Sequence, residues 1–234
     1  MDVITPHPDE KHKSQRSNWL RAAVLGVDDG LVSTSSLMIG VMAANANYAT
    51  ILTTGIAGLV AGALSMAAGE YVSVSSQRDA ERTDIDIERR ALVNNPKGEL
   101  AELAGIYEER GLDKNLALEV AKSLQKHDAV GAHARDELGI NHDRLPNPLQ
   151  AAVASATAFA IGSLIPILAA IFSKNGNSAT VIVITTLVAL AISGTIGAYI
   201  GGGNKFIAGL RVFVGGGVAM AVTAFIGHII GATL

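Results

Sequence analysis

The sequence predicts an all-α integral membrane protein of five transmembrane helices, with a water-exposed helical domain between the second and the third. Three observations carry that reading. Mean hydropathy is +0.36, 49% of the residues are apolar, and most of the 21 acidic residues crowd between positions 79 and 143. The stretches on either side of that block are nearly free of charge and divide into five segments. Each can cross a hydrocarbon core of about 30 Å, which takes about 20 helical residues. The net charge of −3 therefore averages two unlike regions. There is no cysteine, which excludes disulfide frameworks, thiolate metal sites and thiol nucleophiles.

Residues 1–17 form a polar tail with Pro6, Pro8, Lys11, Lys13 and Arg16. The first apolar run after it is too long for the core of a cleavable signal, so the tail reads as a lead into a membrane anchor. Helices 1 and 2 occupy 18–78, where Asp28, Asp29 and Glu70 are the charges between Arg21 and Arg78, and Asn45-Ala46-Asn47 marks the turn. The domain at 79–146 has apolar positions Leu100, Leu103, Ile106 and Tyr107 at helical spacing. Asn94-Asn95-Pro96, Gly111 and Gly139 divide it into three helices, and Pro146 and Pro148 close it. Helices 3 to 5 fill 147–234, the last with His228, which is expected to bond a neighbouring helix. Small residues four apart, as in Gly58 and Gly62, Gly197 and Gly201, and Gly227 and Gly231, are expected to let helix backbones approach closely.

Orientation follows from the flanking Lys and Arg residues. Lys11, Lys13, Arg16 and Arg21, the soluble domain, and Lys205 with Arg211 lie on one side, against Lys174 on the other. The N-terminus and the domain are therefore expected in the cytoplasm and Leu234 outside. The tail carries no recognisable transit signal, which points to a bacterial plasma membrane.

An ionisable group at the centre of a span costs roughly 2.5 to 3.5 kcal/mol on insertion scales and so marks a functional position. Asp29 and Met66 each fall about 15 Å from the cytoplasmic edge, and Glu70 lies one turn from Met66 on the same face. Two carboxylates and a thioether so arranged outline a path for a metal ion. Met66 alone would be packing; its level with Asp29 raises it. Asp28 reads equally as an interfacial or turn carboxylate. In the domain, Glu99 and Glu102 are i,i+3 partners, His133 and Glu137 are i,i+4 partners, and Glu81, Asp84 and Glu88 extend an acidic stripe from helix 2. Each pair alone suits a solvated face. His7, His12 and His142 have no partner in spacing.

The runs Ala23-Val24-Leu25-Gly26-Val27-Asp28-Asp29-Gly30-Leu31, Ala61-Gly62-Ala63-Leu64-Ser65-Met66-Ala67-Ala68-Gly69-Glu70-Tyr71 and Gly162-Ser163-Leu164-Ile165-Pro166 resemble the first three spans of the vacuolar iron transporter family. The likeness runs from about Asn18 onward. It implies a homodimer with a pore at the subunit interface and a cytoplasmic metal-binding domain, exporting Fe²⁺ from the cytosol in exchange for protons. By that likeness Asp29 and Met66 fall on pore residues, and Glu88, Glu99, Glu102 and Glu137 on metal-binding glutamates. This chain departs from the pattern in three places. A span-two glutamate is replaced by Gly58, which leaves either Glu70 as its substitute or a different proton route; a domain glutamate is Ala91; and a methionine pair is His133 and Ala134, an imidazole in place of soft sulfur. Fe²⁺, Mn²⁺ and other divalent ions stay open as cargo.

The expected ligands are thus divalent ions and protons, bound by Asp29, Met66, Glu70, Glu88, Glu99, Glu102, His133 and Glu137, with no tightly bound cofactor, no nucleic acid and no enzymatic step. Protons competing for the same carboxylates would supply coupling, and no Walker-type phosphate loop occurs. The alternatives are a membrane-bound iron-binding or iron-oxidising protein of ferritin-like chemistry, or a metal sensor without flux. Di-iron sites of the first kind pair glutamates with Glu-x-x-His repeats, and the sequence has no Glu-x-x-His.

Overall fold

A computed structural model describes residues 17–140, 146–173 and 178–233. Lys11, Lys13 and Arg16 of the tail, His7, His12, His142, Lys174 and Leu234 lie outside the described residues. The described chain is helical, in the order α1 (Ser17–Ala43), α2 (Tyr48–Asn94), α3 (Pro96–Glu109), α4 (Lys114–Asp136), α5 (Pro148–Phe172), α6 (Ser178–Gly201) and α7 (Lys205–Thr233). Five of these, α1, α2, α5, α6 and α7, are long and apolar enough to cross a membrane. The helix α2 runs for 47 residues, about 70 Å at 1.5 Å per residue, more than twice a hydrocarbon core. No break in α2 separates its apolar beginning from its charged end.

Local chemistry explains the boundaries. Asn45 has φ 62°, a left-handed conformation that asparagine tolerates better than other non-glycine residues, and it ends α1. Asn47 then caps α2, its side-chain oxygen accepting from Thr50 N at 2.9 Å. Asn95 caps α3 through Gly98 N at 3.1 Å, with Pro96 in the first turn, where its missing N–H costs nothing. Gly111 (φ 97°) and Gly139 (φ 68°) follow α3 and α4. Within α4, Asp128 is non-helical at φ −159°, ψ 91°. That residue splits the helix at a position without a glycine or proline to announce it.

The chain divides into two compact units, Met1–Glu70 with Leu149–Leu234, and Tyr71–Pro148. In the first, α1 packs against α6 and α7, which also pack on each other. Its core joins Met38, Ile51, Ile167, Ile182 and Met220, one from each membrane-length helix. Glycines allow the approach: a Cβ on Gly30 would meet the carbonyl of Phe159, and one on Gly162 the carbonyl of Val27, so α1 and α5 touch through their backbones. A hydroxyl pair secures the same crossing, with Thr34 Oγ1 donating to Ser163 Oγ at 2.9 Å. Of the small residues singled out by spacing, Gly62 abuts Phe159 and Gly227 abuts Gly40, whereas Gly201 faces open space. Large apolar side chains such as Ile184, Val188, Ile192, Phe206 and Phe225 are exposed, as lipid contact requires.

In the second unit α3 packs on α4 through Leu103, Ala104, Ala121 and Ala132, flanked by Leu100, Ile106, Tyr107 and Leu124. These include the apolar positions that helical spacing singles out. Leu103 is fully buried, a burial worth about 1.5 to 3 kcal/mol.

Candidate metal centre

The second unit draws three helices onto one buried imidazole. Glu88 comes from the end of α2, Glu99 from the first turn of α3, and His133 from α4 beyond the break at Asp128. His133 is fully buried, with Glu88 and Glu99 only 5% and 8% exposed. Its Nδ1 lies 3.0 Å from Glu88 Oε1, 3.1 Å from Glu137 Oε2 and 3.9 Å from Glu99 Oε2. Among the described residues, Glu88, Glu99 and His133 are the one group of three His, Asp or Glu side chains whose ligand atoms all fall within 4.8 Å of one another. Glu137 stands at the rim, and Glu102 is exposed one turn along α3.

Burying carboxylates together is unfavourable unless something positive joins them. Burial raises the Glu88 carboxyl above its ordinary range, Glu137, Glu99 and Glu102 push it further, and His133 opposes them. Glu88 Oε1 is moreover buried without a hydrogen-bond partner, although Nδ1 is close, because the ring's hydrogen bond is made to Glu137 at 3.1 Å. A buried, unpaired carboxylate oxygen beside a second carboxylate and an imidazole nitrogen is an arrangement that a divalent cation would satisfy. Oxygen and imidazole donors suit Mn²⁺, Fe²⁺ and Zn²⁺ alike.

Two supporting features had no signature in the sequence. Gln125, eight residues before His133, lies with its amide nitrogen 3.1 Å from His133 Nε2. Asp136 ties α4 to α3: it accepts from Tyr107 Oη at 2.8 Å, from Arg110 Nη1 at 2.9 Å and from Arg135 Nη2 at 2.6 Å. Burial pushes the Asp136 carboxyl up, but the bonds from Arg135, Arg110 and Tyr107 outweigh it and hold the group at about 2.

The intramembrane candidates are not gathered in the same way. Asp29 is half-buried on α1 and accepts a bond from Ser33 Oγ at 2.6 Å. Met66 and Glu70 are half-buried on α2. Asp28 points differently: it faces Ser193 of α6, and its Oδ1 is buried with no hydrogen-bond partner. Gly58, where the resemblance places a glutamate, faces Leu37 of α1, whose Cδ1 would lie 2.9 Å from a Cβ. His228 lies exposed on α7, with no hydrogen bond to a neighbouring helix among the described residues.

Helices of membrane length, together with a helical unit carrying a buried carboxylate and imidazole cluster that could hold a metal ion, define a multi-pass membrane protein. The chain belongs to the VIT family, whose model matches residues 20–228. It is 44% identical to the vacuolar iron transporter of Acanthamoeba castellanii (strain ATCC 30010 / Neff), over 97% of this chain and 87% of that protein. It is 43% identical to vacuolar iron transporter homolog 2 of Oryza sativa subsp. japonica, over 89% of this chain and 88% of that one. With vacuolar iron transporter homolog 2.1 of Arabidopsis thaliana the identity is 38%, over 92% and 83%. The motif resemblance in the first three spans thus extends along the chain.

Proposed function

We propose that this protein is a metal-ion transporter that exports Fe²⁺ or a similar divalent ion such as Mn²⁺ from the cytosol, in exchange for protons. The observation that carries the reading is the buried cluster of Glu88, Glu99 and His133 in a chain with five membrane-length helices. Relatives named for vacuolar iron transport support iron as the cargo. Residues 79–146 collect the ion at the cytoplasmic face through Glu88, Glu99, Glu102, His133 and Glu137. Asp29 passes it through the spans, with Met66 and Glu70 beside the path at 18–78, and helices 3 to 5 at 147–234 complete the membrane part. Every ligand of this set except Met66 binds a proton in competition with metal, so acid on the far side both releases the ion and reloads the carriers. A homodimer with its pore at the subunit interface brings two copies of Asp29 and Met66 to one axis.

The Lys and Arg asymmetry orients the N-terminus and the helical domain towards the cytoplasm of a bacterial plasma membrane, with residue 234 outside. No chemical step on the ion is needed. An iron-oxidising function is not favoured, since the chain has no Glu-x-x-His repeat and the relatives are named as transporters.

The deciding experiment loads proteoliposomes with a pH dye and follows Fe²⁺ and Mn²⁺ together with internal pH. Ion entry coupled to an opposite proton movement is expected. Metal binding to the protein without flux would overturn transport, and oxygen consumption on adding Fe²⁺ would revive the oxidase.

A further inference from the structure

The two ring nitrogens of His133 meet different partners. Nδ1 faces Glu88, Glu137 and Glu99, while Nε2 meets the Gln125 amide at 3.1 Å. Eight residues along a straight helix are about 12 Å apart, too far for such a contact. The contact exists because α4 breaks at Asp128 and restarts with the Asp128 carboxylate accepting from Gly131 N at 2.9 Å. The break thus brings a neutral amide onto the ring nitrogen that faces away from the carboxylates.

An amide can serve either form of the ring. With its nitrogen towards Nε2, as found here, Gln125 donates, the ring hydrogen sits on Nδ1, and Glu137 accepts it at 3.1 Å. A half-turn about the last side-chain bond presents the amide oxygen instead. Nε2–H then donates to that oxygen, and the Nδ1 lone pair is free to meet a cation held by Glu88 and Glu99. Neither state leaves the buried Nε2 unpaired. A ligating imidazole usually donates its second N–H to a carbonyl or carboxylate in just this way.

We propose that Gln125 is a positioning residue of the cluster, an amide swivel that accommodates both tautomers of His133 and turns Nδ1 towards a bound divalent cation. The proposal rests on the cation-binding reading of Glu88, Glu99 and His133. Leucine or methionine at position 125 would satisfy neither tautomer, and glutamate, which only accepts when ionised, would require a hydrogen on Nε2, as the binding form does.

The test uses the full-length protein in detergent with Mn²⁺ as probe, comparing the parent with Gln125→Glu, Gln125→Met and Glu99→Gln by titration calorimetry. Gln125→Glu should bind about tenfold more tightly, and Gln125→Met about 10- to 100-fold more weakly. In metal-free protein labelled with ¹⁵N-histidine, the His133 signal should report Nδ1–H alone in the parent and gain Nε2–H in Gln125→Glu. Weakening in both variants, with an unchanged tautomer, would mean that Gln125 merely packs and would overturn the proposal. Parent-like binding by both Gln125 variants, with binding lost in Glu99→Gln, would overturn it while leaving the cluster standing. Parent-like binding by Glu99→Gln would remove the cluster reading, and the proposal would fall with it. Should Gln125→Met fail to fold, Gln125→Glu and its tautomer decide alone.

Discussion

Replacing Asp136 with alanine removes the side chain that ties the last turn of α4 to α3, next to Glu137 and three residues from His133. Three donors lose their acceptor: Tyr107, Arg110 and Arg135. The bond from Arg110 Nη2 to the Asp136 carbonyl, at 2.9 Å, survives because it is made to the backbone. The arginine side chains are 48% and 59% exposed, so solvent screens both pairs and each is worth about 0.2 to 1 kcal/mol. The half-buried Tyr107 hydroxyl adds about 1 kcal/mol. The total is about 1.5 to 3 kcal/mol, and at 1.4 kcal/mol per tenfold the opening equilibrium of that turn should rise by about 10- to 100-fold. Hydrogen exchange read by mass spectrometry on the whole protein, over residues 133–140, measures this directly. The pH dependence has a definite sign. A carboxyl held at about 2 when folded, against an ordinary value of about 3.9, contributes fully above about pH 4. Its contribution is lost as pH falls through about 2. The parent should therefore keep its protection at pH 4 and lose it towards pH 2, approaching the variant. Exchange in Asp136→Ala within threefold of the parent at pH 7 would refute the reasoning.

Glu88→Gln should raise the thermal stability of the metal-free protein while weakening Mn²⁺ binding by at least about tenfold, measured by melting and calorimetry on one preparation. Burial and neighbouring carboxylates raise the Glu88 carboxyl, so its charge costs stability above that raised value, and the cost disappears as pH falls below the ordinary 4.5; a variant that melts lower at pH 7 would contradict this. Asp29→Asn is expected to abolish flux in proteoliposomes with domain binding intact, while Asp28→Asn, whose parent side chain faces Ser193 within the bundle, retains measurable flux. The reverse pattern would exchange their roles. Gly30→Val would drive a Cβ into the backbone of Phe159 and Ser163 and should cost about 1 to 3 kcal/mol. Gly215→Ala, with nothing within 4 Å of its Cβ, should melt at or slightly above the parent in detergent, and equal losses in the two would deny the close crossing.

What could be read from the residues alone was what depends on short windows. Apolar runs marked the five long helices because crossing a bilayer demands about 20 such residues in succession. Asn45, Asn95-Pro96, Gly111 and Gly139 marked helix ends because caps and left-handed conformations are local preferences. Spacing also paired His133 with Glu137, which do touch. Spacing could not bring Glu88 and Glu99 to the same imidazole, since they arrive on separate helices and meet only when α2, α3 and α4 pack. Nor could it separate Asp28 from Asp29: adjacent residues differ by about 100° on a helix, and only the packing of α1 against α6 turns one of them towards Ser193. Gln125 was invisible for the sharpest reason. Eight residues is not a helical contact distance, and the break at Asp128 that makes it one is held by the carboxylate bond to Gly131 and the surrounding fold, with no proline or glycine at the break to betray it.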